Sequence, residues 1–168
     1  MPQEQVLVPL QVTPLRHWLV LAIASGTEPR DVADHGTQRA RTGAGPPSGR
    51  RLLVVDDEPE MLELTRMVLE QSFPGVAVET AETAMDALRL METRAYDAVV
   101  SDYRMPQMNG LEFLIQAADR IPEDRRILMT AYADRNLQQR AREAGLEFIE
   151  KAGDPQNIVD AVRRALRP

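Results

Sequence analysis

The sequence predicts an α/β fold built on a doubly wound, five-stranded parallel sheet. Three observations carry that expectation. Short continuous apolar runs, such as Leu52-Leu53-Val54-Val55 and Ala98-Val99-Val100, read as strands buried on both faces. Between these runs, apolar residues recur at helical spacing. Strand and helix then alternate five times across residues 51–168, as in a chain of βα units.

The elements come in order along the chain. After the first strand, Pro59 occupies a natural first helical position, and Met61, Leu64, Thr65, Val68 and Leu69 mark the buried face of the first helix. Phe73-Pro74-Gly75 breaks it, and Val76-Ala77-Val78 is the second strand. Thr83 with Asp86 opens the second helix in a capping-box pattern, with Met85, Leu88 and Met91 expected inside. The third strand, Ala98-Val99-Val100, runs on to Asp102, and Pro106 takes the chain out of the strand. Asn109 caps the third helix with Glu112 at the reciprocal position, and its inner face is expected at Leu111, Leu114, Ile115 and Ala118. Pro122 ends that helix. Ile127-Leu128-Met129 forms the fourth strand and closes at Thr130. A less apolar helix runs from about Asp134 to Ala144 with Leu137, Ala141 and Ala144 inside, and Gly145 caps it. Leu146, Phe148 and Ile149 mark the fifth strand, which ends near Lys151. Asp154-Pro155 start the last helix, buried through Ile158, Val159, Val162 and Leu166, while Arg163, Arg164 and Arg167 form a solvated end that complements its dipole.

Residues 1–50 have another texture. Trp18 to Ala24 is an apolar run of seven residues, far short of the roughly 20 that span a bilayer. Arg16 before it and Ala22-Ile23-Ala24 at its end resemble a signal peptide, but the leading segment is long, carries Glu4 and is interrupted by Pro9 and Pro14. Gly26 to Arg50 is rich in Gly, Pro, Thr and Arg and has no apolar period. We read 1–50 as a disordered or weakly structured extension and 51–168 as the domain. The chain stops directly after the fifth helix, so a single-domain protein is expected.

Composition narrows the function. A net charge of −6 without a basic stripe speaks against nucleic acid, and the absence of a spanning segment speaks against a membrane. With no cysteine there are no disulfides or thiolate metal sites, which is compatible with a reducing cytoplasm. With no histidine in 51–168, a Ser-His-Asp triad is excluded from the domain. Of the 20 basic residues only Lys151 is lysine, either by chance or because its site needs a compact ammonium on a flexible stem.

In a doubly wound sheet of order 2-1-3-4-5, as in flavodoxin, ligands gather outside the carboxyl ends of strands 1 and 3. Strand 1 ends at Asp56-Asp57 and strand 3 at Asp102, so three carboxylates converge and repel one another. Hard oxygen ligands point to Mg²⁺, which binds through a few carboxylates, waters and phosphate. Asp102 then reads as a nucleophile that forms an acyl phosphate, with Thr130 and Lys151 placed to meet the phosphoryl oxygens.

The segments VVDDEPE, SDYRMPQMNG, ILMTAYA and FIEK resemble the receiver domain of bacterial two-component response regulators over all of 51–168. The resemblance implies a flavodoxin-like fold and a metal-binding acidic pair, Asp56 and Asp57, beside phosphoacceptor Asp102. It further implies a switch hydroxyl at Thr130, a lysine at Lys151 and a switch aromatic at Phe148, which by itself reads most simply as a core residue. It implies a phosphoryl group received from a sensor histidine kinase or phosphotransfer protein, and a repacked helix 4/strand 5/helix 5 face that meets a downstream protein partner. The family usually has proline after the lysine on a cis bond. Here Ala152 follows, where a cis bond costs about 2.5–4 kcal/mol, so the loop is either trans or strained.

On this reading the protein is a signalling protein and not an enzyme. An alternative is a degenerate receiver that binds a partner without phosphate. An aspartate-nucleophile phosphatase fits poorly, since strand 1 ends Asp-Asp-Glu and not Asp-x-Asp. A flavin site fits poorly too, because Asp56-Asp57-Glu58 repels phosphate. Arg104 and Tyr132, two residues after Asp102 and Thr130, border the path of attacking water and imply slow hydrolysis of the acyl phosphate.

Overall fold

The computed structural model describes residues 49–131, 134–151 and 154–167. Among them, five strands form one parallel sheet in the order β2-β1-β3-β4-β5: β1 (Arg51–Val55), β2 (Ala77–Ala81), β3 (Ala98–Asp102), β4 (Arg126–Thr130) and β5 (Glu147–Glu150). Five helices connect or succeed them: α1 (Pro59–Ser72), α2 (Ala84–Thr93), α3 (Gly110–Gln116), α4 (Arg135–Glu143) and α5 (Gln156–Ala165). Short 3-10 turns at Ala117–Asp119 and Glu123–Arg125 bridge α3 to β4. The expectations for residues 1–48, and for Tyr132 and Ala152, lie outside the described residues.

The pleat divides the core in two. Leu52 and Val54 of β1 join Leu69, Ile158 and Val162 on the face covered by α1 and α5. Leu53 and Val55 join Ala87, Leu111, Phe113 and Leu137 on the face covered by α2, α3 and α4. Alternate β1 side chains thus enter different cores, which is why a run apolar at every position suits a central strand.

Two expected helix faces need correction. In α2 the buried residues are Ala84, Ala87 and Met91, whereas Met85 is exposed and Leu88 half-buried. In α3 they are Gly110, Leu111, Phe113 and Leu114, with Ala117 after them, while Ile115 and Ala118 are exposed. Each helix is rotated by about one residue from the expected stripe. The caps are as expected: the Thr83 hydroxyl accepts from the Asp86 N–H at 3.0 Å and donates to its carboxylate at 2.7 Å. The Asn109 side chain accepts from the Glu112 N–H at 3.0 Å.

Candidate functional site

The parallel sheet brings the carboxyl ends of β1, β3, β4 and β5 to one rim. Beyond β1, the Asp56 N–H donates to the Ala81 carbonyl, so pairing with β2 extends into the Asp-Asp step. The Asp56 carboxylate in turn accepts from the Glu58 N–H at 3.1 Å, where Pro59 begins α1. Asp56 is fully buried and Asp57 is half-buried beside it.

Asp102 closes β3 and is also buried. Its Oδ2 accepts from the Arg104 N–H at 2.6 Å, an Asx-type turn that leads the chain out of the strand. The loop then returns, and the Gly110 N–H donates to the Tyr103 carbonyl at 2.9 Å. A Cβ at Gly110 would stand 1.8 Å from the Asp102 carbonyl oxygen, so only glycine lets α3 begin against the main chain of the phosphoacceptor candidate. The sequence marks Asn109 as a cap but does not by itself single out the glycine beside it. The available signal is an Asn-Gly pair just after a Pro-containing loop.

Lys151 crosses this rim. Its ammonium lies 2.6 Å from Asp56 Oδ2 and 2.7 Å from Asp102 Oδ1, and the residue is only 3% exposed. Its main-chain N–H donates to the Thr130 carbonyl at 2.7 Å, which sets the lysine just past the end of β4. Thr130 is wholly buried at that strand end. Phe148 pairs in register with Leu128 and packs, half-buried, against the α2–α3–α4 core. The structure therefore joins Asp56, Asp102 and Lys151 by direct contact and Thr130 through the backbone, while Phe148 lies within the packing behind them.

The electrostatics come from counting charges. Burial pushes the Asp102 carboxyl above its ordinary range, and Lys151 only partly offsets this while Asp56 adds to it. For Lys151, burial works to lower the pKa, but Asp56 and then Asp102 outweigh it and hold the ammonium above its usual value. Lys151 pairs with two of the three rim carboxylates, Asp56 and Asp102. Asp56, Asp57 and Asp102 can each offer one oxygen, all within 4.8 Å of one another. An all-oxygen donor set with surplus negative charge fits a hard divalent cation such as Mg²⁺.

The chain matches the family model for the response regulator receiver domain over residues 52–163. It is 35% identical over 117 residues to an uncharacterized 14.6 kDa protein of Leptolyngbya boryana, covering 67% of this chain and 87% of that protein. It is 32% identical to the hydrogenase transcriptional regulatory protein HoxA of Cupriavidus necator, covering 68% of this chain but only 24% of HoxA. The chain thus spans about a quarter of that relative. Among solved structures, a CheY-like receiver domain protein from Methanospirillum hungatei is similar at 30% identity and a TM-score of 0.62, covering 68% of this chain and 90% of that one. The beryllofluoride-activated DrrB receiver domain is similar at 28% identity and the same TM-score of 0.62, covering 70% and 97%.

Proposed function

Because this chain belongs to the response regulator receiver domain family of two-component systems, we propose that it takes a phosphoryl group on Asp102 from a histidine kinase or phosphotransfer protein. The observation that carries the reading is the Lys151 ammonium held between Asp56 and Asp102 at one sheet rim. An Asp102 carboxylate oxygen forms the O–P bond as the N–P bond of the donor phosphohistidine breaks, and the electron pair leaves on the imidazole nitrogen. Asp56, Asp57 and Asp102 would hold Mg²⁺, which when bound neutralises charge on the phosphoryl oxygens.

Lys151 couples this transfer to the rest of the fold. Before transfer it bonds Asp102 Oδ1, the atom that must be free or esterified afterwards. A phosphoryl group adds about −1.5 to −2 charges, enough to draw Lys151 off the carboxylate and to attract the Thr130 hydroxyl. Since Lys151 and Thr130 are tied by a backbone hydrogen bond, movement of either reaches β5, with Phe148, and the neighbouring α4 and α5. That face would meet a downstream protein partner, and the protein would act in the cytoplasm as a signalling module without turnover of its own.

The deciding experiment is incubation with a small phosphodonor and Mg²⁺, read by intact mass. Wild type is expected to gain one phosphoryl group, and Asp102→Asn none. Equal labelling of both, or of neither, would remove the proposal. Binding of beryllofluoride only when Mg²⁺ is present separates a phosphoacceptor from a receiver that serves as a binding module alone.

A further inference from the structure

Ser101 interrupts the apolar run of β3 one residue before Asp102, and it is fully buried. It pairs in register with Val55 of β1 and Leu128 of β4, whose side chains both belong to the core under α2, α3 and α4. Side chains in register share a face of the sheet, so the Ser101 hydroxyl points into apolar packing. A hydroxyl placed there costs free energy unless it finds a partner. The phosphoryl chemistry described above gives it no part.

Its partner is the main chain of Asp102. The Ser101 hydroxyl donates to the Asp102 carbonyl at 2.9 Å. The Asp102–Tyr103 peptide is planar and trans, and its N–H donates to the Met129 carbonyl of β4 at 2.8 Å. The Asp102 carbonyl therefore points away from β4, beyond Val55 and Ser101, the last register pair of β1 with β3. From α3 the space is closed: a Cβ at Gly110 would stand 1.8 Å from this carbonyl oxygen and 2.7 Å from Ser101 Oγ. One peptide plane is thus held at both ends.

We propose that Ser101 is a positioning residue for phosphoryl transfer to Asp102, an inference that rests on the phosphoryl reading of that aspartate. The Asp102–Tyr103 peptide is the lever between the Asp102 side chain and the Arg104 N–H, which holds Asp102 Oδ2 at 2.6 Å. With Oδ2 fixed there, Oδ1 faces the Lys151 ammonium at 2.7 Å. Without the hydroxyl, the peptide plane is free to swing about the Tyr103 N–H, the Arg104 N–H leaves Oδ2, and the carboxylate turns. The attacking oxygen then meets the phosphorus off line, and a misplacement of about 1 Å costs on the order of 100-fold in rate.

The test compares the full wild-type chain with Ser101→Ala and Val99→Ala. Each is given saturating Mg²⁺ and acetyl phosphate, which releases acetate as the Asp102 O–P bond forms, and the rate of uptake is read by intact mass. Ser101→Ala removes the hydroxyl at nearly constant volume. Val99→Ala hollows the same core from the same face of β3 and leaves the Asp102 carbonyl bonded. Ser101→Ala is expected to react about tenfold more slowly than wild type, and Val99→Ala within about twofold of it. In NMR spectra of the unphosphorylated proteins, the Arg104 amide proton is expected to move upfield in Ser101→Ala alone, as its bond to Oδ2 lengthens. A Ser101→Ala rate within about twofold of wild type, an equal slowing in Val99→Ala, or an Arg104 amide unmoved by Ser101→Ala would each overturn the proposal. A wild-type chain that takes up no phosphoryl group would remove the phosphoryl reading and this inference with it, whereas uptake by wild type confines any failure to Ser101.

Discussion

Among the described residues, ion pairs range between two extremes of burial. At the carboxyl rim, Lys151 meets Asp56 and Asp102 with all three side chains out of water. On the outer helix faces, Arg66 meets Glu63 at 2.5 Å and Glu70 at 2.9 Å, Arg89 meets Asp86 at 2.9 Å, and Arg163 meets Asp160, all substantially solvated. The distances are alike, but the energies are not. Water screens the exposed pairs and competes for each partner, leaving a contribution of about 0–1 kcal/mol per pair. The buried pairs lack that buffer, so losing one partner strands the charge of the other. Among the described residues, the fully buried ion pairs are gathered at this rim, while the solvated ones are scattered over the helices.

The sharpest way to break this comparison is Lys151→Met in metal-free buffer. It leaves Asp56 and Asp102 buried without a cation, and urea unfolding is expected to show a loss of about 3–5 kcal/mol. Added Mg²⁺ should recover part of the loss through the same carboxylates. An unchanged midpoint would mean that the buried pairs are energetically no different from the surface ones.

Gly110→Ala probes how tightly the rim is built without touching a charge. The added Cβ would stand 1.8 Å from the Asp102 carbonyl oxygen, so the start of α3 must move. A loss of about 1–3 kcal/mol is expected in thermal unfolding. Mg²⁺ affinity should fall with it if α3 seats Asp102.

An intermediate case is the cluster on the β2 edge, where Glu79 accepts from Arg51 at 2.6 Å and from Tyr96 at 2.8 Å, and also pairs with Arg94. Burial, then the bond to Glu79, pushes the Tyr96 phenol up to about 12. Its folded pKa lies above the unfolded value, so its contribution is complete below pH 10 and is lost as pH rises towards about 12. Tyr96→Phe is expected to cost about 1 kcal/mol at neutral pH. It should also flatten the stability curve across that alkaline window. Equal slopes for the two proteins would show that the phenol is not coupled to folding.

The smallest effect is expected for Arg89→Ala. It removes an exposed i,i+3 pair and should shift stability by no more than about 0.5 kcal/mol. A shift as large as that of Tyr96→Phe would erase the distinction between buried and solvated pairs.

The fold is largely legible in the sequence because each central strand carries a continuous apolar run and each helix start carries a cap or proline. Asp56, Asp57, Asp102, Thr130 and Lys151 are legible as candidates for a related reason: each lies at or just past the end of an apolar run, and a parallel sheet sends all such ends to one rim. The rotations of α2 and α3 are not. Around α3 the sequence offers two stripes of helical spacing, Leu111-Leu114-Ile115-Ala118 and Gly110-Leu111-Phe113-Leu114-Ala117, and local pattern cannot choose between them. The choice is made by a contact, Gly110 against the Asp102 carbonyl, that exists only once the loop has closed. In α2 the inner positions Ala84 and Ala87 are small, so a reading weighted by side-chain volume favours Met85 and Leu88 instead. The bonds from the Arg104 and Glu58 N–H groups to the two aspartates are equally hidden, since backbone donors leave no trace in residue identity.

The Arg50 guanidinium donates to the Leu166 carbonyl, so the residue leading into β1 touches the end of α5. Two residues 116 positions apart in the sequence are therefore neighbours in space. A short peptide splice between them should permit circular permutation, with new termini opened in the turn around solvent-facing Pro74, and leave the rim that holds Lys151 unaltered.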